Sequence, residues 1–313
     1  MHAGQVGMLV HGVSWDSPSP SLRLFTPDAE FLDVALALGS ALGLRVIPGV
    51  WCLGHTKVHG PGDRTHIPCP GSSPAERGKQ CGACFARDDS RLMHDFHRGT
   101  SVPAGLRAYL MQPHWLYVAT FANCATKVGT ASAPRKWNRL AEQGAVHASY
   151  VAHAEDGRVV RVLEDMVTCE LGLVQQVRSA SKAAGLVEPR AAVELLALNR
   201  QHAGRVRELL GGLAMTGYAV VEEEWDRPAL AERLCGAGAE GSRRHPYPAT
   251  FDGGGHGLRI RSLSGAITLA GLPDATGNDV EGSFVADLGA LKGRKIEFGP
   301  HTTVIPALQD SLF

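Results

Sequence analysis

Apolar and polar positions alternate with a period of two at both ends of the chain, whereas the middle mixes helical and strand periods. Residues 5–15 and 21–25 read as strands separated by the turn-forming stretch DSPSP at 16–20. Val34, Leu36 and Leu38 alternate with small residues as far as Gly39-Ser40, and Leu42, Leu44 and Val46 alternate again. That pattern predicts a second hairpin; a helix over 28–38 is the competing reading, since Ala and Leu are good helix formers. From 48 to 102 the pattern breaks up into Gly, Pro, His and charged residues. Two runs rich in aromatic and β-branched residues follow, 115–121 and 125–130, with Asn123 and Cys124 between them, which is the signature of a β-hairpin.

After Gly129 come Ser132, Ala133 and Pro134, then basic residues on helical spacing. Ser132 is expected to cap that helix, Pro134 suits its first turn, and Gly144 can end it in the left-handed conformation. Residues 146–153 alternate as a third strand. Residues 157–167 read as a helix with Val160, Leu163 and Val167 on one face. Helices are expected over 174–184 and 190–211, and a short one over 228–234. Loop residues fill 236–248, and the β pattern returns at 258–262, 266–270 and 293–298.

The chain is thus expected to be α+β, in four segments: a β-rich stretch over 1–48, a metal-binding stretch over 49–102, an αβ module with a helical extension over 103–235 and a β-rich stretch over 236–313. The two terminal segments are expected to pair into one β-rich unit with the module inserted between them.

At 313 residues the chain can bury a sizeable core. A hydrophobic content of 44% and a mean hydropathy of −0.06 are ordinary for a soluble globular protein. No apolar run reaches the ~18 residues that cross a bilayer, and the start MHAGQVGMLVHG lacks a basic region leading into an apolar one. A cytoplasmic protein with no membrane partner is the default. The formal net charge of +0 argues against strong non-specific nucleic-acid binding while leaving room for a local basic groove. There is no Gly-rich phosphate loop, dinucleotide fingerprint or nucleophile elbow.

Seven cysteines, an odd count, favour metal binding or free thiols over a disulfide framework. A loop as long as 48–102 inside a compact domain needs something to hold it, and Cys52, Cys69, Cys81 and Cys84 can provide that. Cys81-Gly-Ala-Cys84 is a C-x2-C knuckle, and four thiolates at about 2.3 Å would complete a closed, structural Zn²⁺ site. His55 or His66 could replace Cys52 as the fourth ligand, and free buried cysteines are the plain alternative.

Glu164 falls at the edge of the apolar stripe of its helix, where a carboxylate is costly unless it is paired or binds a metal. Arg161, three residues earlier, is the plain partner. Arg135 and Arg139 stand four apart on one helix face. Arg200, His202, Arg205 and Arg207 form either a solvated helix face or a phosphate-contacting one. Cys124 would be reactive only beside a cation such as Lys127, with His114, His147 and His153 nearby.

Over roughly residues 50–170 the chain resembles the GIY-YIG nuclease superfamily. Leu116-Tyr117-Val118 occupies the first tripeptide and Lys127-Val128-Gly129 the second, and the ten-residue step from Tyr117 to Lys127 suits the hairpin. The resemblance is strongest to a bacterial subgroup with a cysteine cluster before the module, Lys-Val-Gly as second tripeptide and an Arg shortly before Gln-Gly-Ala, here Arg139 before Gln143-Gly144-Ala145. It implies a small GIY-YIG-like αβ module in which Tyr117 accepts or relays the proton of an attacking water, Arg139 grips a phosphate and Glu164 holds a single Mg²⁺ or Mn²⁺. Lys127 stands where the family usually has a second Tyr, and by proximity it could lower the pKa of the Tyr117 phenol. The implied function is a metal-dependent phosphodiesterase or nuclease acting on nucleic acid. The alternatives are a non-cleaving nucleic-acid-binding zinc protein, and an enzyme that uses this pocket on a small-molecule substrate in a biosynthetic pathway.

Overall fold

The computed structural model describes residues 7–16, 19–93, 96, 99, 101–235, 244–274 and 276–305. The start of the first expected strand, the centre of the 16–20 turn and most of the loop after Gly236 lie outside these residues. In chain order the elements are β1 (Met8–Ser14), β2 (Ser21–Phe25), β3 (Phe31–Ala35), β4 (Ala41–Ile47), β5 (His55–Val58), β6 (Arg64–Ile67), α1 (Gly82–Arg87) and α2 (Ala104–Leu110). Then follow β7 (His114–Thr120), β8 (Thr126–Ser132), α3 (Lys136–Gln143), β9 (His147–Ala154), α4 (Gly157–Leu171), α5 (Ser179–Val187), α6 (Ala192–Gly211) and β10 (Tyr218–Glu224). The last are α7 (Glu232–Cys235), β11 (Arg244–Pro246), β12 (Gly254–Ser264), β13 (Ile267–Gly271), β14 (Ser283–Asp287) and β15 (Lys295–Phe298). The chain is a mixed α and β protein, and among the described residues no helix is long and apolar enough to cross a membrane.

Strands from both ends build one nine-stranded sheet in the order β11-β14-β13-β12-β4-β15-β1-β2-β3. β15 lies between β1 and β4, pairing Ile296 with Met8 on one side and Val46 on the other. The hairpin expected from the 34–38 and 42–46 alternation does not form. β3 pairs with β2, and β4 crosses to β12 and β15. Gly39, at φ 83°, makes the turn that separates them, and its N–H bonds to the Ile260 carbonyl. Alternation fixes which face of a strand is buried; it says nothing about which neighbour supplies the ladder.

The second sheet, β10-β9-β7-β8, is the frame of the module. Its two faces have different partners. Leu116, Val118, Val128 and Val151 pack with Val160, Leu163 and Val167 of α4 and Ala203 and Val206 of α6. Tyr117, Ala119 and Tyr150 join the core of the nine-stranded sheet. Trp15 ties the nine-stranded sheet to the module: its indole N–H donates to the Gly265 carbonyl, between β12 and β13, at 2.8 Å and its ring meets Trp137 of α3 edge-on.

Two local expectations are corrected. Ser132 does not cap α3 with its side chain; a 3₁₀ turn, 133–135, precedes the helix, and the Ser132 hydroxyl faces that of Tyr109 instead. The helix expected from 174 starts only at Ser179, because 174–178 is drawn along the edge of β8, where the Val128 N–H donates to the Val174 carbonyl at 3.0 Å. Gly144 ends α3 in the left-handed conformation, as its position implies.

Candidate functional site

The segment before the module folds around its cysteines. Cys52 follows a bridge between Trp51 and Pro74, Cys69 follows β6, Cys81 sits just before α1 and Cys84 lies on it. The four sulfurs all lie within 4.8 Å of one another, and the Cys69 and Cys81 sulfurs are 3.9 Å apart. A tetrahedron with ~2.3 Å metal–sulfur bonds has edges of about 3.8 Å, so the cluster is compact enough for four ligands to close on one ion. His55 and His66 are not in the cluster, which leaves Cys52 as its fourth member. The Gly54 N–H points at the Cys52 sulfur from 3.3 Å, a contact that would steady negative charge on that sulfur. Gly54 has φ 82°, and a Cβ there would sit 2.1 Å from the Ile67 carbonyl oxygen, so only glycine fits this turn. Around the cluster, Asp88 and Asp89 accept from the Thr56 and Val58 N–H groups, and Asp89 also pairs with Lys57 at 2.9 Å. These bonds tie the β5–β6 hairpin to the helical turn after α1.

Tyr117, Lys127, Arg139 and Glu164 come from β7, β8, α3 and α4, and all four line a single open pocket of about 460 Å³, joined by Arg161 and Lys182. Arg135, four residues before Arg139, lines a neighbouring pocket instead and is ion-paired with Glu142. Glu164 is almost wholly buried, and its Oε2 accepts from Arg161 Nη1 at 2.5 Å. Burial pushes its carboxyl up, while Arg161 and Lys127 pull it back down.

Tyr117 is fully buried, and among the described residues its hydroxyl meets no partner at hydrogen-bonding geometry. Burial raises the phenol to about 12, more than the Arg139 charge takes off. The expectation that Lys127 lowers this phenol is therefore corrected: desolvation outweighs any help from a neighbouring cation. The lysine itself moves instead. Burial, with Arg139 and Lys182 adding repulsion, brings Lys127 down to about 7, and its Nζ keeps one hydrogen bond, 3.2 Å to the Gln175 carbonyl. Lys182 is lowered to about 8 by burial and by Arg139, and it donates to the Gln143 carbonyl at 2.8 Å.

Gly129 is opposite Tyr117 in the β7–β8 ladder. A Cβ there would lie 2.5 Å from the Tyr117 hydroxyl oxygen and 2.6 Å from Cζ. The glycine that closes the second tripeptide is thus the seat of the tyrosine ring. Gly129→Ala is expected to displace that ring and cost about 1–3 kcal/mol in urea unfolding, the usual penalty of overpacking.

Other candidates are not brought here. Cys124 lies at the hairpin tip with its sulfur 4.0 Å from Glu194, while Lys127 turns inward to the Gln175 carbonyl and is not the neighbour of this thiol. His153 lies against Trp115 with the rings tilted at 46°, and His147 lines neither this pocket nor its neighbour. On α6, Arg200 and Arg207 pair with Glu224 and Glu222 of β10, which makes that row a solvated, ion-paired face. Two pocket residues gave little warning in the sequence. Lys182 is a lone cation in the small-residue run SASKAAG, and Arg161 reads as nothing more than a salt-bridge partner. No family model, curated protein or solved structure matches the chain.

Proposed function

We propose that this pocket is a phosphodiesterase site of the GIY-YIG type acting on nucleic acid, and that the cysteine cluster holds a structural Zn²⁺. The observation that carries the reading is the convergence on one pocket of Tyr117 from β7, Lys127 from β8, Arg139 from α3, Arg161 and the buried Glu164 from α4, and Lys182 from α5. Four thiolates complete a tetrahedral ligand set by themselves, which suits zinc in a structural role. Even with Lys127 neutral, Arg139, Arg161 and Lys182 outnumber the carboxylates Glu142 and Glu164 in the lining, so the pocket favours an anion such as a phosphodiester.

The residues present fit a divalent metal in one way: Glu164 is a buried carboxylate with one oxygen bonded to Arg161 and the other able to take a ligand. One carboxylate plus substrate oxygens is a common Mg²⁺ arrangement. When bound there, Mg²⁺ or Mn²⁺ would supply charge neutralisation to the phosphate oxygens. Arg139 and Lys182 orient the phosphate and stabilise the charge that develops on it. Arg161 fixes the Glu164 carboxylate. Lys127, largely unprotonated just above neutral pH, takes the proton from the attacking water; Tyr117, with so high a pKa, donates a hydrogen bond and does not act as the base.

The test is hydrolysis of bis(p-nitrophenyl) phosphate with Mn²⁺ across pH. The free-enzyme profile of kcat/KM is expected to rise through about pH 7 as Lys127 loses its proton, and this limb should vanish in Lys127→Met together with most of the rate. A profile without that limb in the wild type removes Lys127 from the base role. The same group costs stability. In the unfolded chain Lys127 keeps its proton up to the ordinary lysine range, whereas in the fold it loses it near 7, so stability rises with pH across that window. Lys127→Met should therefore raise the unfolding free energy at pH 7 by on the order of a few kcal/mol while it abolishes turnover. A second reading, a nucleic-acid binder that does not cut, is favoured by the tight Arg161–Glu164 pair; it predicts salt-dependent affinity with no products.

A further inference from the structure

A second pocket of about 260 Å³ adjoins the first and is used by none of the chemistry above. Thr130, Arg139 and Arg161 line both pockets, so the two cavities share a wall that includes two arginines. The second pocket adds Arg64 and Arg135, which brings its lining to four arginines, and no carboxylate is among the described lining residues. The acids that pair with Arg135 and Arg161 are Glu142 and Glu164, and both of these face the first pocket. Arg64 has no ion pair among the described residues; its guanidinium lies 5.4 Å from the centre of the Tyr109 ring.

Four arginines, two of them paired to acids that line the first pocket, leave this lining with an excess of positive charge that suits an anion, and the planar fork of arginine is matched to phosphate oxygens. At about 260 Å³ the pocket is below the roughly 300–1,000 Å³ of a complete small-molecule site, which suits an extension of the first pocket better than a separate site. The origin of its walls is equally informative. Arg64 lies on β6 of the cysteine-held segment, whereas Arg135, Arg139 and Arg161 belong to the module. The pocket exists only because the two are packed together.

We propose that this second pocket is a subsite for a phosphate covalently linked to the one bound in the first pocket, and that the cysteine-held segment serves the site by supplying Arg64 to it. The inference deepens the phosphodiesterase reading and rests on it for the first pocket's phosphate. It makes the ligand one that carries at least two linked phosphates, such as a single nucleic-acid strand.

The test measures binding without added divalent cation, so that nothing is cleaved. The probes are hexathymidylate, inorganic tripolyphosphate and thymidine monophosphate, with the metal-loaded wild type, Arg64→Ser and Arg64→Lys. Arg64→Ser is expected to weaken hexathymidylate binding about ten-fold, as fits loss of one charge-assisted contact, and to lower its salt slope by about 0.7. Thymidine monophosphate binding should not change, and Arg64→Lys should restore the slope. An equal Arg64 effect on tripolyphosphate assigns the subsite to any linked phosphates; an effect on hexathymidylate alone assigns it to a strand. Equal losses on the one-phosphate and many-phosphate probes, or no loss on either many-phosphate probe, overturn the proposal. If the wild type fails to hydrolyse bis(p-nitrophenyl) phosphate while the Arg64 effect on binding persists, the hydrolase reading falls and the subsite stands. If hydrolysis occurs but Arg64→Ser binds like the wild type, the subsite alone falls.

Discussion

Cys81→Ala, like a strong chelator, is expected to release about one metal ion per chain and to open residues 50–93 to protease while the nine-stranded sheet stays resistant. The segment has little else to hold it. Its own strands, β5 and β6, are four residues each, and an isolated two-stranded hairpin is marginal in water. Its apolar support is one small cluster of Val58, Phe96, Val102, Leu106, Tyr109 and Leu110. Structural zinc contributes on the order of 10 kcal/mol of folding free energy, which outweighs what such a cluster supplies. Elemental analysis of protein purified without chelator, followed by limited proteolysis with and without chelation, reads both effects. Metal-free protein with an unchanged digestion pattern would remove the structural ion from the account.

The second large effect concerns the first pocket. Glu164→Gln is expected to abolish Mn²⁺-dependent hydrolysis without unfolding the protein, since the amide oxygen can still accept from Arg161 but no longer brings charge to a metal. Arg139→Ala should cost about 10²–10³-fold in kcat, the loss typical of one preorganised donor to a developing anion. Arg200→Ala is the matched control, because its exposed pair with Glu224 is worth only ~0–1 kcal/mol and lies outside the pocket. Affinity for a strand that survives Glu164→Gln in a protein that never cuts would favour the binding reading.

The elements of the module were readable because each announces itself locally. The two β-branched runs, the Gly144 stop and the Val160–Leu163–Val167 stripe are patterns within one turn or one strand. The cysteine cluster was readable for a related reason: thiolates have few other uses at that spacing in a loop of that length. What could not be read is partnership over distance. Nothing in 34–46 says that β4 will pair with β12 and β15, because period-two alternation is satisfied by any neighbour. Residues 174–178 look helical until the edge of β8 claims them. The basic character of the site was hidden by the balanced net charge, since Arg64, Arg139, Arg161 and Lys182 are scattered in sequence and meet only in the fold. The Tyr117 and Lys127 pKa values follow from burial, which spacing does not reveal.

The position of β15 between β1 and β4 also orders events on the ribosome. β4 is complete at Ile47, yet its partner there, Lys295, emerges about 250 residues later, on the order of ten to fifty seconds at ~5–20 residues per second. The hairpin, helices and third strand of the module need only residues 114–224 for their own ladders and can assemble in that interval. β1 and β4 meanwhile present unpaired edges, the kind of surface on which nascent chains stick to one another. A chain arrested before Lys295 is therefore expected to carry a formed module beside an open, chaperone-dependent half-sheet, and release of its last strand is the step that closes the molecule.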